Sequence, residues 1–462
     1  MTKPVLCPLD GRYASRLTEL AACMGDRALT AARVRAECAY FERLCSLKLP
    51  GLPALSANEK SFLNALCALS DADYQLISDY EFKGRLGIPA TNHDVKAVEY
   101  FLKEKFAASS LKDRTEWIHF ALTSEDVNSV AYAMLLSDGT EKALLPVLLK
   151  IQKELTVLAR REAASVLLAR THGQPAVPTT FGKEMRVYAE RLARQTAQLK
   201  IRTVTCKLGG AVGNYNAHYA AFANTDWRKN ARALIAVLNK GRKIKLVLTE
   251  ISTQVDPRDS YAELFDNLRR VNVILLDFCR DMWAYIAAGL VAQKAAAGEV
   301  GSSTMPQKIN PIDFENAEGN LGLANALLTF FSEKLPVSRL QRDLSDSTVL
   351  RNMGTAFGYA LTAYRSVLKG LFRAAFNRGA ARAELLNHPE VLAEGVQVVL
   401  RAAGVDKPYE RLKDFTRGRA VTDVLWREFI TGLPVNAGTK KKLLALDVLT
   451  YVGRAERLAK GE

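Results

Sequence analysis

Ser302, Ser303, Lys308 and Asn310 stand together in the stretch GEVGSSTMPQKINPID, residues 298–313. Two hydroxyls, a fixed cation and an amide suit chemistry in which a proton is removed and negative charge grows nearby. A serine hydroxyl is too weakly acidic to become a base unaided. Its alkoxide needs Lys308, or loop N–H groups, to stabilise it. Gly298 and Gly301 give the backbone freedom while Pro306 and Pro311 restrict it, so the stretch could open and close over a ligand. The alternative is a helix–helix connector whose serines and glycines only shape a turn. The stretch is neither a GxxxxGK[ST] phosphate loop nor a Ser-x-x-Lys acyl-serine pair.

Three further segments offer partners. RTHGQPAVPTTFGKE, residues 170–184, places His172 in a Gly/Pro-rich break between two helical patterns. Histidine is the natural proton shuttle near neutral pH, although a lone histidine is more often structural. Of the five histidines, His93, His172 and His218 fall in or beside loop-like polar stretches, whereas His119 and His388 do not. ATNHDVKAVEY, residues 90–100, sets Asn92, His93 and Asp94 before an amphipathic helix, with Asp94 as a candidate N-cap or as the partner that orients His93. HFALTSEDVN, residues 119–128, puts Thr123 and Ser124 at another helix start, which suits an anion or plain N-capping equally. SRLQRDLSDSTVLRN, residues 338–352, combines Arg339, Arg342 and Arg351 with Ser345, Ser347 and Thr348. These are donors for phosphate and carboxylate, or else a charged helix face. No HExxH, paired CxxC or EF-hand spacing occurs, so neither a metal nor another cofactor is expected. Taken together, a candidate acid, a loop base, anion-fixing arginines and a mobile lid suit acid–base chemistry on a polyanion.

The elements that must hold these groups read as helices. In DSYAELFDNLRRVNVILLDFCRDMWAYIAAGL, residues 259–290, the positions Leu264, Leu268, Val271, Leu275, Phe278, Met282 and Tyr285 alternate spacings of four and three. Asp259 or Ser260 could cap this helix, with Glu263 placed for a capping box on Ser260. A helix of ~30 residues is ~45 Å long. So long a seam predicts a bundle completed by other subunits. Similar stretches run over about 125–170, 180–208 and 313–335, while 209–218 and 247–257 read as loops and no strand rhythm is evident. The fold class is therefore all-α. Boundaries near 112 and 371 give an N-terminal helical domain (1–112), a central bundle (113–370) and a C-terminal helical domain (371–462).

Composition excludes several classes. The chain has 462 residues, 48% hydrophobic and 24% charged, as ordinary globular proteins have. MTKPVLCPLDGRY has no basic-then-apolar run, so no secretory signal is expected. The longest apolar stretch, near MWAYIAAGLVA, is well short of the ~18 residues of a membrane span. Seven cysteines without a CxxC pair read as buried thiols in a reduced, cytoplasmic protein. The net charge of +15 is spread along the chain without interleaved aromatics, so a small anionic substrate is expected rather than nucleic acid. KKK at 440–442 reads as a solvated helix face, and LNKGRKIKL at 238–246 as a basic insertion without a functional account.

GSSTMPQKINP resembles the signature loop of the fumarase/aspartase superfamily, whose members eliminate fumarate from a succinyl-bearing substrate. LDGRY, TNHDVKAVEYFLKEK, TSEDVN, RTHGQPAVPTTFGKE, GGAVGNYNAH and LPVSRLQRDLSDSTVLRN narrow the resemblance to the adenylosuccinate lyase family in its bacterial form, from about residue 8 to 455. The resemblance implies a three-domain helical subunit in a homotetramer with a twenty-helix core, and active sites built from three subunits. It implies anti β-elimination of fumarate from adenylosuccinate, giving AMP, and from SAICAR, giving AICAR. By motif, Ser302 would be the base, His172 the acid, and Glu315 the group behind His172; Lys308 and Asn310 would bind the carboxylate whose charge grows. His93 would lie near the substrate phosphate and assist. Arg12, Tyr13, Asn92, Asp94, Thr123, Ser124, Gln254, Ser303, Asn316, Arg342, Ser347 and Arg351 would bind phosphate, nucleobase or carboxylates. Many members have histidine where this chain has Gln307, and MPQK followed by NP also occurs in argininosuccinate lyases, the alternative enzyme reading. A catalytically silent relative would be expected to lack His172, Ser302 or Lys308, and all three are present.

Overall fold

The computed structural model describes residues 5–294, 304–305, 307–418 and 421–462. Ser302 and Ser303, and the glycines before them, lie outside the described residues. The chain divides into two compact units. One comprises Met1–Leu148, Gln195–Val273 and Gly319–Arg365; the other comprises Leu149–Arg194, Ile274–Glu318 and Ser366–Glu462.

The first stretch contributes α1 (Thr18–Met24), α2 (Asp26–Ser46), α3 (Ala57–Leu66), α4 (Asp71–Phe82), α5 (Asp94–Ala107) and α6 (Ser124–Asp138). Ser56 with Glu59, and Ser70 with Asp73, form capping boxes that start α3 and α4. A π-helical turn, Gly139–Leu144, carries α6 into α7 (Leu145–Arg161). The helical segment therefore stops at 161, not 170. Residues 166–180 form a hairpin instead, β1 (Val166–Thr171) and β2 (Gln174–Thr180), antiparallel and joined through His172 and Gly173. Both linking residues have positive φ, +53° and +73°, the combination a two-residue type I′ turn requires. Pro175 and Pro178 argue against a strand in the sequence. They are tolerated because this sheet has two strands, both of them edges.

Next come α8 (Phe181–Lys200), β3 (Thr203–Cys206), α9 (Asn216–Ala221), α10 (Trp227–Leu238) and β4 (Lys245–Leu248). β3 and β4 pair in parallel, so the stretch around 247 is a strand rather than a loop. The basic segment before it has a structural use. Buried Arg242 forks onto Asp138 at 2.7 and 3.0 Å, and Glu141 takes the N–H groups of Lys243 and Ile244.

The seam helix is α11 (Asp259–Ala287), followed by β5 (Val291–Gln293), α12 (Ile312–Lys334), α13 (Ser345–Arg351), α14 (Met353–Arg373) and β6 (Ala374–Phe376), with β5 antiparallel to β6. Leu264, Leu268, Val271, Leu275, Phe278 and Met282 are buried, and Tyr285 packs edge-on to Phe181. Helices of the same chain close this seam. Phe265 meets Phe331, Phe278 meets Phe314, and Tyr364 donates to Asn272. The predicted capping box does not form: Ser260 accepts the Thr205 N–H, and Glu263 takes Arg202. What remains outward is a different set, Val273 and Trp283 on α11 and Leu323 and Phe330 on α12, each about half exposed.

The C-terminal section contains α15 (Arg378–Leu386), α16 (Ala393–Ala402), α17 (Pro408–Thr416), α18 (Asp423–Gly432), α19 (Ala437–Leu444) and α20 (Ala455–Lys460). Leu385, Val396, Leu400, Trp426, Ile430 and Leu443 form its core, with Leu168 of β1 packed in. No helix among the described residues is long and apolar enough to cross a membrane. The described cysteines are unbridged thiols.

Candidate active site

His93, not Asp94, is the N-cap of α5: its Nδ1 accepts the Lys96 N–H at 3.2 Å. That acceptor role assigns the proton of the neutral ring to Nε2. Nε2 lies 3.4 Å from the Ser124 hydroxyl, at the first turn of α6. Ser124 is on offer there because Thr123 is the N-cap, its N–H donated to Asp126 at 2.8 Å. Asn92, just before His93, is exposed at φ +47°.

Asp94 is committed to cations. It accepts from Arg33 at 2.7 Å and from Arg351 at 2.5 Å. Burial works to raise its carboxyl, but Arg33 and Arg351 outweigh it and hold the group below the ordinary carboxylate range. Arg33 itself is buried and also donates to Asn128 at 2.9 Å. Asp94 thereby ties the exposed Arg351 to the residue that follows His93. Arg351 also lines a cleft of about 500 Å³ with Asp10 and Ala14, the residues that flank the predicted Arg12 and Tyr13. Arg12 is exposed and Tyr13 half-buried.

Arg342 approaches from the loop before α13. It donates to the Gln254 side-chain oxygen at 2.8 Å and stands 3.4 Å from Glu125, the residue after Ser124. Gln254 in turn donates to the Ala211 carbonyl at 2.9 Å. Asp343 stiffens this loop by accepting the N–H groups of Arg339 and Ser345 at 2.8 and 2.7 Å. Ser347 and Thr348 sit on the first turns of α13; Ser347 donates to the Leu344 carbonyl at 3.0 Å. Ten predicted residues from four separate segments thus belong to one connected cluster in the first unit.

Four residues of that cluster carry no signal in the sequence: Arg33, Glu125, Arg258 and Asp346. Arg258 is buried and donates to Glu125 at 2.7 Å and to Asp346 at 2.5 Å. Burial opposes the Arg258 charge, yet Glu125 and Asp346 hold it on the guanidinium; burial lifts the Glu125 carboxyl despite Arg258 and Arg342. An acidic residue second in a helix suggests dipole complementation. Nothing local says that two such residues share one arginine.

His218 departs from the loop-histidine expectation. It is buried in α9, bonded through Nε2 to the Tyr40 hydroxyl at 3.1 Å, and burial pushes its pKa down to about 4.

The second unit holds the other predicted group. His172 is exposed at the hairpin tip, and Arg170 donates to the Gly173 carbonyl beside it at 3.3 Å. Glu315 accepts the Trp283 indole N–H at 3.1 Å. His172 has no ring partner among the described residues, so the expected His172–Glu315 pairing is not made within one chain. Asn316 accepts the Ser366 hydroxyl at 2.8 Å. Lys308 is exposed, and Asn310 half-buried. Among the described residues no cluster of histidine, cysteine and carboxylates could hold a metal ion. A separate cleft of about 590 Å³, around Glu394, Tyr409 and Arg417, contains none of the predicted residues.

Comparison with known proteins follows the same lines. A family model described as Lyase matches residues 56–325, and one described as Adenylosuccinate lyase C-terminal matches 338–452. An adenylosuccinate lyase of Vibrio cholerae is 45% identical over 98% of this chain and 97% of its own. One of Escherichia coli K12 is 45% identical over 97% and 96%, and one of Dictyostelium discoideum 40% over 97% and 96%. Among solved structures, a 3-carboxy-cis,cis-muconate lactonizing enzyme from Pseudomonas putida superposes with a TM-score of 0.72 at 22% identity, covering 98% of this chain and 97% of that one. A fumarate lyase from Mesorhizobium sp. BNC1 gives 0.74 at 18%, covering 97% of each. At those identities the two structures speak to fold alone.

Proposed function

Given that the chain belongs to the adenylosuccinate lyase family, we propose that it is the lyase that eliminates fumarate from adenylosuccinate, releasing AMP. The observation that carries this reading is identity of about 45% sustained over at least 96% of both this chain and its bacterial relatives. The same chemistry extends to SAICAR, which carries the same succinyl group on a purine precursor. The activity belongs to purine nucleotide biosynthesis, and the chain works in the cytoplasm.

In this reading Ser302 removes the proton beside a carboxylate of the succinyl group. Lys308 and Asn310 hold the carboxylate on which charge accumulates. His172 gives its proton to the departing nitrogen. The connected cluster of the first unit supports the binding half. Arg342, Arg351, Ser124 and His93, held in place by Gln254, Asp94 and one another, are donors of the kind that a substrate with one phosphate and two carboxylates needs. Glu315 tunes His172 across a subunit boundary, which is consistent with its having another partner, Trp283, in its own chain. We further propose a homotetramer with each active site drawn from three subunits. The half-exposed Val273, Trp283, Leu323 and Phe330 on two long helices favour it, because such residues are ordinarily covered. Nucleic acid and membrane have no part in it.

The test is fumarate release by the purified protein from adenylosuccinate, SAICAR and argininosuccinate, offered separately. Release from the first two and not the third is expected. Release from argininosuccinate alone would sink the reading.

A further inference from the structure

Arg258 has no part in the reading above, yet it occupies a costly position. It precedes α11 with φ +61°, a left-handed conformation that costs a residue with a Cβ about 1–2 kcal/mol. Such strain persists only where the surroundings over-determine it. Here Asp256 accepts the Arg258 N–H at 2.9 Å and the Thr205 hydroxyl at 2.7 Å, which fixes the backbone from below. The side chain is 4% exposed and forks between two carboxylates, Glu125 and Asp346.

The places of those carboxylates matter. Glu125 directly follows Ser124 in the first turn of α6, and Asp346 directly precedes Ser347 in the first turn of α13. One guanidinium therefore ties together two helix starts 221 residues apart (346 − 125), each presenting a hydroxyl. Asp346 Oδ1 is buried without a hydrogen-bond partner, and Arg258 is the only cation paired with Asp346 among the described residues. Glu125 has two cations, Arg258 and Arg342. With Arg258 present, the two arginines and two carboxylates balance. Without it, Asp346 would lose its cation and Glu125 would have Arg342 alone.

We propose that Arg258 is a positioning residue: it holds Ser124 and Ser347 on one side of the site and neutralises Glu125, leaving Arg342 free to grip an anionic group of the substrate. This rests on the reading of Arg342, Ser124 and Ser347 as substrate contacts. The chemical steps are assigned to other segments, so loss of Arg258 falls on binding.

The experiment compares KM and kcat for adenylosuccinate in Arg258→Met, Arg258→Lys, Arg258→Met with Glu125→Gln, and Arg342→Met, after confirming each fold by circular dichroism. Arg258→Met is expected to raise KM roughly tenfold while kcat stays within about threefold. Arg258→Lys, which keeps the charge but not the fork, falls between it and the native protein. Adding Glu125→Gln restores much of KM, because the carboxylate that would capture Arg342 is gone; a merely structural role would not produce that rescue. If Arg258→Met does not fold, Arg258→Lys decides: native KM in that variant overturns the assignment. Unchanged KM in a folded Arg258→Met, or no rescue, also overturns it. If Arg342→Met leaves KM untouched, the substrate-contact reading itself is what fails.

Discussion

At the scale of residues, the first unit's site is ordered by a few buried charges. Asp94 sits between buried Arg33 and exposed Arg351 and so converts the start of α5 into an arginine holder. Asp94→Asn keeps the shape but drops the charge. It is expected to lower stability by about 1–3 kcal/mol and to raise KM with little change in kcat, read by thermal unfolding and steady-state kinetics. A second residue-scale prediction concerns His119, whose Nδ1 lies 2.5 Å from buried Glu37. Burial opposes the His119 charge, but Glu37 outweighs it and raises the pKa above its ordinary value. A raised histidine pKa means stability fully present below about 6.5 and lost as pH rises through the folded value. The Tm gap between the native protein and His119→Gln should therefore be wide at pH 6 and narrow by pH 9. A gap that widens with pH would refute the pairing.

At the scale of elements, two glycines set the geometry. Gly173 completes the hairpin turn that lifts His172 to its tip, a conformation glycine adopts without a Cβ penalty. Gly213, at φ +81°, lies so close to the 252–253 segment that an added Cβ would stand 2.2 Å from the Ser252 carbonyl. That backbone leads directly to Gln254, the partner of Arg342. Gly213→Ala should cost at least about 2 kcal/mol and raise KM, because both a forbidden φ and a backbone clash must be relieved by moving the Gln254 segment. A folded, fully active Gly213→Ala would show that the segment yields cheaply.

At the scale of the whole molecule, the missing His172–Glu315 contact within one chain and the outward apolar residues of α11 and α12 favour a shared site. His172→Ala and Ser302→Ala should each abolish nearly all turnover while retaining substrate binding. Mixed, dissociated and reassembled, the two variants should regain part of the native activity, since some sites then receive both intact segments. Failure to regain any activity in verified mixed oligomers would confine each site to one chain.

The sequence alone was enough for the helical class and for the motifs whose residues gather in the first unit's cluster. Heptad spacing is a local property, so the six buried seam positions of α11 were visible in it, as was the cluster from His93 to Arg351 through its motifs. The small sheets were not, because strands of three to seven residues are too short to show a periodicity of their own and exist only by pairing, as β1 does with β2. The three-dimensional fold alone decided that Asp94 serves two arginines, that His218 is buried, and that Arg258 joins Glu125 to Asp346. Those pairings span tens to hundreds of residues. A buried charge must find its counter-charge wherever the chain's packing brings one, and no local pattern records where that is.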